Sequence, residues 1–377
     1  MASLAHGFQN SPMVYIIDPF ADTIIYLKRP CSDFAPWDPA FDSDQEDPRS
    51  AESSLSDQDS CLGDSPILST PQREEDAVAA SKLVVCSGEL DAEVQYHVSS
   101  RHLMMASSVF RSALSKDGFL ESERCGAYNM FHIKTEGWDA EAFLLILNIF
   151  HLQNKLVPRV VTLEMLAKVA VLVDYYDCGE ALELFTEMWI ERIKQSILVP
   201  EYNRELRLWI LVAWVFKLED RLKSATRIAI EHSTGFFDTL GLPIPPRICD
   251  AINLQRCSAI ESTLAFCEQL LSKYCSADYA CPHGTGYTER CGSFLLGHLT
   301  RKLAALRMLK PRPELPFLNL SWHYVSRRLL YGASGWYASV KKYDGEHPCT
   351  VSDELSPFVR NVMATIEGFD IAAAEEA

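Results

Sequence analysis

The chain has 377 residues and 48% hydrophobic content, enough for two ordinary domains or for one domain with an extension. Its formal net charge of −16 argues against non-specific nucleic-acid binding, which needs a basic face to displace counterions. The charge is concentrated: residues 31–80 hold 13 acidic and 2 basic side chains, a balance of −11, and the remainder carries −5.

The start of the chain lacks a basic segment followed by an apolar run, so no secretory signal is expected. The longest apolar run, 208–216, is about half of what a bilayer requires. An intracellular protein, in cytoplasm or nucleus and without a membrane partner, is the expectation. In that compartment the 12 cysteines are expected as thiols or metal ligands rather than disulfides.

Residues 13–28 read as two β-rich pieces around Asp18-Pro19; the second, 22–27, is rich in the strand formers Thr23, Ile24, Ile25 and Tyr26. From 29 to 80 Pro, Ser and Asp dominate. Such sequence cannot bury enough surface to offset chain entropy, and disorder is expected there. Ordered sequence is expected to resume at 82–86 (KLVVC). Val94, Tyr96 and Val98 alternate as in a strand; Ser99-Ser100 then caps a helical run, and a second short helix follows at Val109-Phe110.

A short strand is expected at 128–134. Residues 138–151 place Phe143, Ile146, Leu147 and Phe150 on one helical stripe, with Asp139 as N-cap. Segment 161–176 is apolar almost all round; its exposed strip is expected to be Glu164 and Lys168, an i,i+4 pair in the favourable order. After Gly179, a helix over 180–194 is expected to turn Leu182, Phe185, Trp189 and Ile193 inward. Phe143, Leu147, Leu166, Ala170 and Phe185 are the expected centre of this half.

Beyond Tyr202 the pattern is helical. Residues 204–216 are nearly continuously apolar and expected buried; GLPIPP at 241–246 interrupts, and a helix restarts at Pro246, a residue suited to a first turn. It is expected to run to about Tyr274, with Cys249, Cys257 and Cys267 as core residues. An amphipathic helix over 292–307, an extended linker over 310–318 and helices near 321–330 and 353–368 complete the reading.

The first half resembles the BTB/POZ domain. The run Leu103, Ser107, Phe110 is similar to that family's LxxxSxxF phrase; 139–151 (DAEAFLLILNIFH) is similar to its PEAFxxLLxFIY helix; 162–182 (TLEMLAKVAVLVDYYDCGEAL) resembles its closing LLxLLxLADxYxxxxL helix pair. The likeness covers residues 14–194. It is closest to fungal BTB-domain proteins, which carry a FAPWD phrase before an acidic stretch, as Phe34-Ala35-Pro36-Trp37-Asp38 does here. Two departures stand out: Ser99 occupies a position where many BTB domains have His, and the opening hairpin is split by the acidic insert. The resemblance implies an α+β fold in which 22–27 pairs with 94–98 across that insert.

It also implies a protein–protein interaction adaptor rather than an enzyme, with protein partners, another copy of itself (a homodimer) or a cullin among them, and with no nucleic acid, membrane or small-molecule substrate. In cullin-recruiting BTB proteins a hydrophobic-x-Glu phrase after the second helix contacts the ubiquitin-ligase scaffold. Phe119-Leu120-Glu121 stands at that place, which makes a substrate adaptor of a cullin-type ligase the alternative function; a helix end with a solvated Glu is the plainer reading of the same residues.

Enzyme signatures are absent: there is no GxxxxGK[ST] loop and no HExxH, and Gly332-Ala333-Ser334-Gly335 misses the GxSxG spacing. One constellation can carry chemistry. Cys281 and Cys291 sit in a Gly/Pro/Tyr loop, and His347 and Cys349 in a second Gly/Pro-rich loop; together they supply the four soft donors of a structural zinc site. The spacing is not that of a recognised finger, so four unrelated loop positions stay open as the plainer reading, and an enzyme using the same cluster as the remote one. Ser43, Ser54 and Ser56, each with an acid three residues on, and Ser65-Pro66 and Thr70-Pro71 are candidate phosphorylation sites in the insert. The domain plan is first BTB strands at 13–30, acidic disordered insert at 31–81, the remainder of the BTB domain at 82–194, and a helical C-terminal domain at 200–370.

Overall fold

The computed structural model describes residues 13–38, 93–115, 129–193, 201–331 and 347–372. The segment 82–86, where ordered sequence is expected to resume, the phosphorylation candidates, Phe119-Leu120-Glu121 and Gly332-Ala333-Ser334-Gly335 lie outside the described residues, as does residue 39 onward of the acidic insert.

The alternating β-branched and aromatic residues of the first half form one four-stranded sheet: β1 (Met13–Ile16), β2 (Thr23–Lys28), β3 (Glu93–Val98) and β4 (Phe131–Glu136), in the order β1-β3-β2-β4. β2 runs antiparallel to β3, with Ile25 opposite Tyr96 and Lys28 opposite Glu93, so the expected pairing across the insert is present. β4 lies parallel to β2 on its other side, and β1 parallel to β3. Thr23, Ile25 and Leu27 of β2 and Val94, Tyr96 and Val98 of β3 are buried, the period of two that one covered face demands. β1 and β4 are the edge strands, and Met13, Val14 and Ile16 are exposed on β1.

Helices α1 (Ser100–Ala106) and α2 (Ser108–Leu114) follow β3 directly. Ser107 separates them. Its oxygen accepts from the Phe110 amide at 3.1 Å, capping α2, while its hydroxyl donates to the Tyr176 carbonyl. Asp139 caps α3 (Ala140–Phe150) through the Ala142 amide, as expected, and Thr162 caps α4 (Leu163–Tyr176) through that of Met165. Phe143, Leu147, Leu166 and Ala170 are fully buried together.

Phe185 is the exception among the expected core residues. On α5 (Gly179–Ile193) the buried side chains are Leu182, Thr186, Trp189 and Ile190, whereas Phe185 and Ile193 are only half-buried. The covered stripe is thus 182, 186, 189 and 190, rotated past Phe185, and within it the Trp189 indole donates to the Pro158 carbonyl at 2.8 Å.

Glu164 and Lys168 are not an exposed strip either. Their pair forms at 2.9 Å, but the Lys168 ammonium also reaches Asp139 at 2.9 Å. Arg204, at the start of α6 (Arg204–Val215), reaches Glu164 at 2.9 Å and donates to the Phe34 and Ala35 carbonyls at 2.7 and 2.8 Å. Burial alone would raise the Glu164 carboxyl; the hydrogen bonds from Lys168 and Arg204 outweigh it and hold it below its ordinary value. The FAPWD phrase is thereby strapped to the C-terminal half. Buried Arg207 completes the strap, its guanidinium over Trp37 at 4.3 Å and Tyr202 at 3.9 Å.

The C-terminal half continues as α7 (Glu219–His232), α8 (Pro246–Cys275), α9 (Thr288–Ala305), α10 (Trp322–Leu330) and α11 (Ser352–Thr365). Residues 310–318 are not an extended linker. The fully buried Arg256 of α8 donates to the carbonyls of Pro316, Phe317 and Leu320, and Phe317 is itself buried. Proline-rich sequence reads as open chain, and only the tertiary placement of a guanidinium shows that its carbonyls are gathered. Of the three α8 cysteines expected in the core, Cys267 is buried while Cys249 and Cys257 are half-buried. After α11, Gly368 (φ +82°) lets the chain turn onto α7, where the Phe369 amide donates to Thr226 at 2.8 Å. Among the described residues, no helix is long and apolar enough to cross a membrane.

Candidate metal centre

Two chain segments converge between α8, α9 and α11. The first leaves α8 at Cys275 and turns twice: the Tyr279 amide donates to the Ser276 carbonyl at 3.2 Å, and the Gly284 amide to that of Cys281, also at 3.2 Å. Gly284 stands at φ +133°, which a side chain would resist. The Cys281 amide donates to the Thr288 hydroxyl at 3.2 Å and so fixes this loop on the first residue of α9. Cys291 then lies within the first turns of α9 rather than in the loop, because the helix starts at Thr288, earlier than the 292 read from its apolar stripe.

The second segment, His347 to Thr350, runs into α11. The Thr350 amide donates to the Asp353 carboxylate at 2.7 Å and the Asp353 amide returns to the Thr350 carbonyl at 3.2 Å. Buried Val351 and Leu355 anchor this entrance.

Cys281, Cys291, His347 and Cys349 meet there, with their donor atoms all within 4.8 Å of one another and all four side chains buried. Cys281 Sγ is 3.8 Å from Cys349 Sγ and 3.4 Å from His347 Nε2. Tetrahedral bonds of about 2.3 Å to sulfur put sulfur atoms about 3.8 Å apart, so the Cys281–Cys349 separation fits a shared tetrahedral ion. The cluster can hold a metal ion.

Its electrostatics fit that use. Burial, then the neighbouring Cys291 and Cys281, push the Cys349 thiol up to about 12, and burial raises Cys291 as well. Three thiols this close resist ionising unless a cation shares the space. Burial, with His283 beside it, lowers His347, which keeps the imidazole neutral and able to ligate. Around the donors, the Tyr287 ring lies 5.2 Å from that of His347, and the Tyr279 hydroxyl is 3.2 Å from Cys291 Sγ.

All four residues singled out as zinc ligands are thus brought together. Tyr279 and Thr288 carry no such signal: neither residue type is a soft ligand, and nothing in the sequence marks them as neighbours of the cluster. Compared with family models, curated proteins and solved structures, the chain finds no match.

Proposed function

We propose that this chain is a protein–protein interaction adaptor built on a BTB/POZ-like domain, carrying a structural zinc ion at Cys281, Cys291, His347 and Cys349. The observation that carries the adaptor reading is the contact between its two most telling phrases. Ser107 of the LxxxSxxF run donates to the carbonyl of Tyr176 in the closing helix phrase, and the rings of Phe110 and Tyr176 stack at 4.6 Å. Two phrases of the resemblance from distant parts of the chain therefore serve one joint, which supports reading them as parts of one motif.

Zinc is favoured by the donor set, three thiols and one imidazole in a tetrahedral spacing. Four protein donors leave no position for a substrate, which favours a structural role over the enzyme alternative. When bound, the ion supplies a cross-link that joins the start of α9 to the start of α11, and its binding energy becomes folding energy.

Metal analysis of the purified full chain tests the zinc half, with one zinc per chain expected; less than roughly 0.1 zinc per chain would remove it. Light scattering over a concentration series, with affinity purification from the native cell extract, tests the adaptor half. A strict monomer that retains no protein partner would overturn it.

A further inference from the structure

We propose that Tyr279 is a positioning residue of the metal centre: its hydroxyl donates to Cys291 Sγ, and Gly292 is the residue that admits its ring. This deepens the zinc reading above and rests on it.

The geometry comes first. The Tyr279 oxygen stands 3.2 Å from Cys291 Sγ, close enough for an O–H donor to a sulfur acceptor. The ring that carries this oxygen lies directly against Gly292, the residue after the ligand. A Cβ added at Gly292 would fall 2.9 Å from Tyr279 Cδ1 and 3.3 Å from Cε1, closer than side chains pack. Gly292 sits in the interior of α9, where glycine weakens a helix by about 1 kcal/mol relative to alanine. A helix-weakening residue placed where a ring must pass has a steric reason to be there. The Tyr279 ring is held from its other side by Tyr274, edge to face at 5.7 Å.

The chemistry gives the hydroxyl its task. Three thiolates on a divalent cation leave one net negative charge in a buried site, and such charge needs donors aimed at it. Tyr279 supplies an O–H from outside the ligand set. Cys291 also lies in the N-terminal part of α9, where the helix dipole favours negative charge. Both effects draw charge off Cys291 Sγ, so this sulfur is expected to react more slowly than those of Cys281 and Cys349.

The test uses the full chain loaded with cobalt(II), whose sulfur-to-metal charge-transfer band reports electron density on the thiolates, and with zinc for affinity by chelator competition. Tyr279→Phe keeps the ring and removes only the donor. It is expected to move the band to lower energy and to weaken zinc binding by about 10–100-fold, the usual effect of losing an outer hydrogen-bond partner. Gly292→Ala, which leaves every ligand and the hydroxyl in the chain, is expected to shift the band the same way by displacing the ring. Tyr274→Phe, which alters the neighbouring ring but no bond to sulfur, should leave the band unmoved. If the wild-type chain binds neither cobalt nor zinc, the metal reading itself fails. If it binds both and Tyr279→Phe matches it in band position and affinity, the role of Tyr279 is overturned while the metal site stands. Should the variants not fold, alkylation of the zinc-loaded wild type decides: Cys291 modified as fast as Cys281 and Cys349 overturns the inference.

Discussion

The carboxylate of Asp22 accepts two hydrogen bonds from Ser100, one from its amide and one from its hydroxyl, both at 2.7 Å. One residue precedes the acidic insert and the other follows it. The bonds join the loop that leads into β2 to the first turn of α1, where unpaired amides need an acceptor and a negative charge is favoured. Asp22→Ala would leave the buried Ser100 without that partner. It should cost about 1.5–3 kcal/mol, the range for a hydrogen bond to a charged group, read as a lower denaturant midpoint.

The same pairing makes the insert dispensable and the residues before it essential. Deleting residues 40–75 should leave the thermal transition nearly unchanged, since loop closure costs only about 0.6 kcal/mol per doubling of length. That deletion spares Phe34 and Ala35, which Arg204 holds. Removing residues 1–30 takes away β1 and β2 and bares β3 on both sides. Aggregation is the expected result, visible by light scattering.

In the helical core, Leu166→Ala should cost about 2–5 kcal/mol by chemical denaturation, as for other buried large-to-small changes. Phe185→Ala on half-buried ground should cost clearly less, although its ring is the larger. Equal costs would mean that Phe185 is as covered as the apolar stripe of α5 suggests.

Arg204→Met should free the strap. It strands the Phe34 and Ala35 carbonyls, at a cost of about 1–3 kcal/mol, and should speed amide exchange across 31–38 by mass spectrometry. Because Glu164 is held low when folded, its contribution is in place above the unfolded value near 4.5 and is lost as pH falls through the lowered folded value. Glu164→Gln should therefore flatten the acid limb of the stability curve.

His151 gives a second pH signature. Its Nδ1 lies 2.8 Å from the Leu147 carbonyl, and its Nε2 accepts from the Ser99 amide at 2.9 Å. That geometry requires the neutral ring protonated on Nδ1. Burial lowers its folded value, with His102 adding to the effect and the Leu147 bond opposing it. The unfolded chain then takes up a proton more readily than the folded one. Stability is complete above about pH 6.5 and declines as pH falls from there toward the lowered folded value. Thermal melts between about pH 7.5 and 5 should show that decline, and His151→Gln should reduce it.

The sequence by itself determined the features that follow from local period and from ligand type. The alternation at Val94, Tyr96 and Val98, the cap at Asp139, and the choice of three Cys and one His as soft donors are each written in a few neighbouring residues; the cap read at Ser99-Ser100 is not, since the Ser99 side chain makes no capping bond. Tertiary structure decided everything that depends on which side chain a distant backbone meets. The covered stripe of α5 runs past Phe185, with the Trp189 indole bonded to the Pro158 carbonyl; Asp139 and Arg204 turned the Glu164–Lys168 pair from a surface strip into a joint; Arg256 gathers the carbonyls of Pro316, Phe317 and Leu320 and holds Phe317 in the core. Each is a polar group meeting its partner across tens of residues, and such partners leave no periodic trace. The cluster shows both sides: its donors are legible as residue types, but Tyr279 meets Cys291 only once the loop after α8 folds back on the start of α9, and Cys281 meets Cys349 at 3.8 Å only once the loop before α11 packs against it.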